Sequence, residues 1–319
     1  MNEMIAPFNF DPQHDFIMVA GPTASGKSAL AMDIAKAVDG VIINGDSMQI
    51  YRDLSIVTAC PSPLEKMAMP HRLYNALDGA DVCSVGKWLG LLHQEVAAIR
   101  AYGKVPIICG GTALYLNAAQ HGISAIPDID EALHKAVIAE HREKGGAAML
   151  EELALFDGAL AARLSPGDSQ RITRAIEVYR QTSRPLSDWQ QDDPQGQLSG
   201  RAFNFTVLPD RDELYARINK RFAMMWEAGA LPEVERLLAR ELPTSAPVMK
   251  AVGVPQIAAY LAGEMTDEEA IADAAMQSRR YAKRQFTFFR NNFITNYEFQ
   301  ELYSTRDDLE FFSKILFSA

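Results

Sequence analysis

Residues 16–28 read Phe16-Ile17-Met18-Val19-Ala20-Gly21-Pro22-Thr23-Ala24-Ser25-Gly26-Lys27-Ser28. Five apolar residues make a buried strand, the glycine-bracketed stretch makes a tight loop, and about Ala29 to Val38 continues as a helix. Gly21–Ser28 satisfies the P-loop pattern G-x-x-x-x-G-K-[ST] in that context. Its glycines let backbone N–H groups close around phosphate oxygens. The helix N-terminus adds its positive end, Lys27 adds a full charge, and Ser28 can ligate magnesium. The motif names phosphate as the ligand without saying which phosphate.

Two further apolar runs extend the pattern. Val41–Ile43 leads into Asn44-Gly45-Asp46-Ser47, and Val105–Cys109 ends at Gly110-Gly111-Thr112. Strands alternating with helices imply an α/β fold: a P-loop NTPase-like parallel sheet flanked by helices, with its ligand site at the carboxyl ends of the strands. From about Pro127 to Gly200 helical segments dominate, among them Glu131–Lys144 and Gln170–Thr182, closed by a polar stretch at Gln190–Gly200. Ala202–Leu208 alternates Phe203, Phe205 and Val207 with smaller residues, the period of a strand that rejoins the sheet. The expected division is a catalytic core of residues 12–126 and 201–319 around a helical insertion of 127–200. Helices are expected near Asp212–Glu227, Leu231–Glu241, Pro255–Leu261 and Asp267–Asn291.

Composition narrows the class. The 319 residues are 48% hydrophobic and 23% charged, ordinary for a globular chain. No apolar run approaches the roughly 20 residues of a membrane span, and the first sixteen residues, with Glu3, Asp11 and Asp15, do not read as a signal peptide. Cys60, Cys83 and Cys109 match no zinc spacing and form no disulfide framework, so a reducing cytoplasm is expected. The net charge of −10 argues against a large nucleic-acid partner. Its distribution argues otherwise. Arg163–Arg184 holds five arginines against Asp168 and Glu177, and Ala274–Asn292 holds Arg279, Arg280, Lys283, Arg284 and Arg290 with no acid. Solvated helix faces would look the same.

A nucleotide-triphosphate kinase or hydrolase also needs an acid at a strand end to hold its metal. Val105–Cys109 ends instead in Gly-Gly-Thr. Asp46, after the second strand, opens on the same cleft and suits a base acting on a second substrate; the lesser alternative is a turn residue or N-cap.

Together these residues resemble the tRNA dimethylallyltransferase (tRNA isopentenyltransferase, IPP transferase) family. The resemblance rests on the P-loop and, more specifically, on Asp46-Ser47-Met48-Gln49-Ile50-Tyr51. Pro70-His71, Ser84-Val85 with Trp88, and Gly110–Tyr115 follow in the family's order. So do Asp168–Val178, Arg184-Pro185-Leu186-Ser187 and Ala282-Lys283-Arg284-Gln285. It spans roughly residues 15–292. Three departures stand out: Cys60 where the family usually has Lys, Val254-Pro255 where an aromatic and a base are common, and His134 where Arg is frequent.

The resemblance implies transfer of a dimethylallyl group from dimethylallyl diphosphate to the exocyclic amine of the adenosine just 3′ of a tRNA anticodon. Diphosphate would sit on Gly21, Pro22, Thr23, Ala24, Ser25, Gly26, Lys27 and Ser28, with magnesium on Ser28. Asp46 would be the general base, Thr23 a positioning group, Lys27 a cation on the leaving group, and Arg217 an additional phosphate cation. Asp46, Ser47, Met48, Gln49 and Thr112 would border the extruded base. His134, Gln170, Arg171, Ile172, Thr173, Arg174, Lys250, Ala251, Val252, Gly253, Lys283 and Arg284 would grip the anticodon stem-loop. A bacterial-type, monomeric enzyme without the zinc finger of eukaryotic relatives is implied. An adenylate isopentenyltransferase acting on free nucleotide, a small-molecule P-loop kinase and a non-catalytic RNA-binding module remain as alternatives. The arginine-rich insertion disfavours the first, Asp46–Tyr51 the second, and an intact Lys27-Ser28 with Asp46 the third.

Overall fold

In the computed structural model, residues 9–306 and 309–317 are described; part of the stretch considered for a signal peptide and the last two residues of the expected core lie outside them. Two compact units are formed. One contains the described residues up to Gln120 and from Leu198 onward; the other is His121–Gln197.

The first unit is built on a six-stranded, all-parallel sheet of β1 (Phe16–Ala20), β2 (Gly40–Asn44), β3 (His71–Arg72), β4 (Val105–Gly110), β5 (Ala202–Val207) and β6 (Tyr297–Phe299), in the order β3-β2-β4-β1-β5-β6. The expected α/β class and parallel sheet are borne out. The edge strands β3 and β6 are too short to announce themselves by periodicity.

Every residue of β1, β2 and β4 is buried, because helices cover both faces of a parallel sheet and leave no solvent side to encode as polar. Ile17, Val19, Ile107, Phe203 and Phe205 pack against Leu30 and Ile34 of the helix Lys27–Val38. Each such fully buried side chain stabilises the fold by about 1.5–3 kcal/mol. The register pairs Ala20 with both Gly110 and Thr206, and Asn44 with Cys109, so four strands end along one line. The helix after β1 begins at Lys27, two residues earlier than expected, directly out of the P-loop.

The helical unit packs Glu131–Ala154 on Ser169–Thr182 around Val137, Met149, Leu153, Ile172 and Ile176. The first helix outruns its expected end at Lys144. Gly145 breaks it with φ 78°, and it resumes to Ala154. Across the two helices, Arg180 binds Glu140 and Glu152, each at 2.6 Å. The Phe156 and Tyr179 rings stack at 3.9 Å.

Glu140 carries a pH-dependent part of this unit's stability. Its hydrogen bonds from Arg180 and Lys144 pull its carboxyl from the ordinary 4.5 down to about 2. A depressed carboxyl stabilises the fold fully above its unfolded value and loses that contribution as pH falls through the folded one. The effect is modest because solvent screens the cluster. Thermal melts of wild type and Glu140→Gln should therefore differ most at neutral pH and converge between pH 4.5 and about 2. A gap that stays constant over that window removes the ion pair as its cause.

Candidate active site

The P-loop is held from behind. Gly26 has φ 101°, and a Cβ there would collide with the Tyr303 carbonyl. The Tyr303 N–H donates to the Ser25 carbonyl at 3.0 Å, and its hydroxyl donates to buried Asp33 at 2.9 Å. Ala24 adopts φ 65°, an uncommon conformation for a residue with a side chain. The Pro22 carbonyl accepts from Ser25 N–H at 3.3 Å and from the Lys27 ammonium at 3.4 Å.

Asn44, at the end of β2, is wholly buried and organises the turn after it. Its side-chain carbonyl accepts from Asp46 N–H at 2.8 Å, and its amide donates to the Asp46 carbonyl at 2.9 Å and the Leu73 carbonyl at 3.1 Å. Asp46 Oδ1 accepts from Met48 N–H at 2.9 Å, so the carboxylate does cap its own turn. Thr112, after β4, accepts from Ser47 N–H at 2.9 Å and reaches the Ser47 hydroxyl at 3.2 Å. Gln49 donates to the Thr58 and Ala59 carbonyls, both at 2.9 Å. That same loop is gripped by buried Glu233, whose carboxylate accepts the N–H groups of Ser55, Ile56 and Val57 at 2.7–3.0 Å.

These pieces line a cavity of about 630 Å³. Thr23, Ala24, Gly26, Lys27 and Ser28 form its phosphate end, while Asp46, Met48 and Gln49 come from the turn after β2. The helix Arg211–Met225 contributes Arg217, Lys220 and Arg221, together with Ile218, Phe222, Met224 and Met225. Four cations thus face two carboxylates, Asp46 and Glu65. Burial pushes the Lys27 ammonium below its ordinary value, opposed by Cys109 and Asp46. Burial and the neighbouring Arg217 do the same to Arg221. Such a cluster lacks counter-charge and favours an anion. The apolar residues beside it suit a short hydrocarbon group.

Sequence reasoning singled out Arg217 and missed Arg221, Lys220 and Tyr281. Arg221 was legible in principle, one helical turn after Arg217 and so on the same face; it reaches the Thr23 hydroxyl at 3.3 Å. Ala251 and Val252 line the cavity, and Gly253 closes under Val57 and Phe222, where a Cβ would come within 2.8 Å of Val57. Lys250, Lys283 and Arg284 are exposed.

In the helical unit Gln170, Arg171 and Arg174 face solvent, but Ile172 is fully buried and Thr173 is 5% exposed, its hydroxyl turned to the Ser169 carbonyl. The side chains of Ile172 and Thr173 therefore serve the unit's core, because the helix must bury one face. His134 Nδ1 pairs with Glu177 at 2.7 Å. Of the five arginines, Arg180 is bound to Glu140 and Glu152, and Arg184 to Asp192.

Among the described residues no group of three or more His, Cys, Asp or Glu could hold a metal. Ser28 is exposed at the phosphate end. One hydroxyl without a carboxylate cage fits an ion that is carried mainly by substrate phosphates and waters. Among the same residues no helix is long and apolar enough to cross a membrane.

Residues 49–292 match the IPP transferase family. The tRNA dimethylallyltransferases of Azorhizobium caulinodans and Rhodospirillum rubrum are each 48% identical to this chain, over 276 and 292 residues. Those alignments cover 86% and 90% of this chain and 88% of each relative. The crystal structure of a tRNA isopentenylpyrophosphate transferase from Staphylococcus epidermidis matches with a TM-score of 0.65 at 31% identity, over 94% of this chain and 98% of that one. A eukaryotic dimethylallyltransferase acting on tRNA shares the fold, with a TM-score of 0.74 at 24% identity over 86% of this chain and 70% of that one. A P-loop core of this geometry, matched over most of its length by such relatives, bears out the resemblance read from the motifs: the chain belongs to the IPP transferase family.

Proposed function

We propose that this protein is a tRNA prenyltransferase that moves a dimethylallyl group from dimethylallyl diphosphate to the exocyclic amine of the adenosine 3′ of the anticodon. The observation that carries the reading is one cavity in which a P-loop with surplus cations faces a single strand-end carboxylate, Asp46, while β4 ends in Gly110-Gly111-Thr112 rather than in an acid. A P-loop so equipped can hold a diphosphate that leaves whole. The named relatives act on tRNA, so a free nucleotide acceptor and a kinase are not favoured.

In this mechanism the bond between the donor's C1 and the diphosphate oxygen breaks as the adenine nitrogen bonds to C1. Charge grows on the leaving diphosphate, where Lys27, Arg217, Arg221 and loop N–H groups stabilise it. Magnesium, held by Ser28 and the phosphates, would supply further charge neutralisation. The adenine amine is a poor nucleophile because its lone pair is delocalised into the ring, and it passes its proton to Asp46. Thr23, tied to Arg221, orients the phosphate end. Met48 and Gln49 border the base, which must be unstacked from its loop to enter. On the helical unit, Gln170, Arg171 and Arg174 offer the solvent-facing contacts to the stem-loop, with Lys250, Lys283 and Arg284 on the core. We further take the enzyme to act as a monomer, since one chain supplies the cavity, and in the cytoplasm, where its three free cysteines stay reduced.

Incubation with labelled dimethylallyl diphosphate and either total tRNA or AMP tests the reading. Label should enter tRNA alone. Labelling of AMP, or release of ADP from ATP without prenyl transfer, overturns it.

Asp46→Asn separates base from cap. Asparagine keeps an oxygen for the Met48 N–H and loses the proton acceptor. Single-turnover transfer at saturating tRNA should fall about 10²–10⁴-fold, the range of general-base catalysis, with donor affinity nearly unchanged. A near-wild-type rate would leave Asp46 a cap.

Arg171→Ala with Arg174→Ala should weaken tRNA binding and flatten its salt dependence while sparing donor binding, because phosphate-contacting cations act by releasing counterions. An unchanged affinity and salt slope would return both arginines to the solvated face.

A further inference from the structure

Gln285 belongs to the Ala282–Gln285 motif, yet it sits neither on the cavity wall nor in solvent. It is 4% exposed. Both ends of its amide are used: Thr23 N–H donates to its Oε1 at 2.9 Å, and its Nε2 donates to the Gly111 carbonyl at 2.8 Å. A Cβ on Gly111 would collide with that Nε2, so the glycine is what admits the amide. Tyr281, one turn earlier on the helix Asp267–Asn292, lines the cavity itself.

One neutral side chain therefore spans two loops. On one side stands Thr23, in the P-loop. On the other, Gly111 precedes Thr112, which holds Ser47 by two hydrogen bonds, and Ser47 follows Asp46. The Thr23 N–H is thereby committed to an amide inside the protein, and the loop's approach to the acceptor side is set by a single rigid group.

We propose that Gln285 is a positioning residue that sets the spacing between the donor's P-loop and the Thr112–Ser47–Asp46 side of the cavity, and so aligns the donor carbon with the acceptor amine. This rests on the prenyl-transfer reading above. Misplacing reactants by about 1 Å can cost about 10²-fold in rate without altering how either is bound.

The test is single-turnover transfer by Gln285→Met and Gln285→Glu, each rate divided by that of wild type at the same pH. Methionine makes neither bond, so its ratio should fall about 10²-fold at every pH, with the KM for the donor little changed. Glutamate is the discriminating variant. Ionised, it still accepts from Thr23 but turns a lone pair on the Gly111 carbonyl; protonated, it has the shape of glutamine and donates again. Burial raises a carboxyl's pKa, so the Gln285→Glu ratio should be low near pH 8 and recover toward wild type near about pH 6. Lys27 and Arg221 on the P-loop side favour an ionised glutamate, Asp46 after β2 and burial disfavour it, and the ratio removes only the titration that these groups share with wild type; burial holds the Tyr281 hydroxyl on the same helix well above the usual phenol range. If methionine prevents folding, glutamate at the lower pH carries the test. A Gln285→Glu ratio independent of pH, or a Gln285→Met ratio near one, overturns the clamp. A wild type that transfers no prenyl group overturns the reaction and the clamp together; a wild type that transfers while the ratio stays flat overturns the clamp alone.

Discussion

The exits of β2 and β4 touch backbone to backbone, and the rest of the site depends on that contact. Gly45 N–H donates to the Cys109 carbonyl at 2.8 Å, Thr112 N–H donates to the Gly45 carbonyl at 3.3 Å, and a Cβ on Gly110 would strike the Gly45 backbone. Only glycine at 110 allows the approach. Because of it, the turn bearing Asp46 lies beside the loop bearing Thr112, and both lie beside the P-loop leaving β1. Trp88 reinforces the junction, donating from its indole to the Asn44 carbonyl at 3.0 Å while stacked on Tyr115 at 4.4 Å. The carboxylate is aimed by backbone and buried amide groups rather than by charged partners.

Electrostatically the cavity is the reverse of the chain. A protein of net charge −10 gathers Lys27, Arg217, Lys220 and Arg221 around one cavity against two acids. Desolvation disfavours the charged forms of two of them, Lys27 and Arg221. Any anion that enters the cavity relieves that cost, so part of the protein's own destabilisation would become affinity for it.

The helical unit illustrates how sequence counts of charge mislead. Five arginines over one stretch look like a nucleic-acid surface. Two of them are structural: Arg180 joins Glu140 and Glu152 across two helices, and Arg184 binds Asp192 and covers the Trp189 ring at 4.6 Å. What remains outward is Gln170, Arg171 and Arg174, with Arg163 also exposed, a smaller and more localised patch. The two identities within 170–174 that never faced solvent, Ile172 and Thr173, follow from helical period alone: a helix packed on a neighbour turns those positions inward.

The amino-acid order by itself determined the P-loop, the α/β class and the strands leading to Asp46 and Thr112, because each is written locally. Apolar runs of strand length, a glycine-bracketed loop and an N-terminal lysine need no distant partner to be read. The ordered motifs likewise determined the family. Tertiary structure alone decided which side chains meet. Arg221, Glu233 and Gln285 lie 198, 178 and 262 residues from the loop atoms they bind; Arg221 shares a helix face with Arg217 and Gln285 belongs to a quoted motif, yet nothing local names the partner of any of the three. A hydrogen bond across such a separation has no local periodicity. It exists because the parallel sheet draws four strand ends into one line and the helix Asp267–Asn292 lays a buried amide across it.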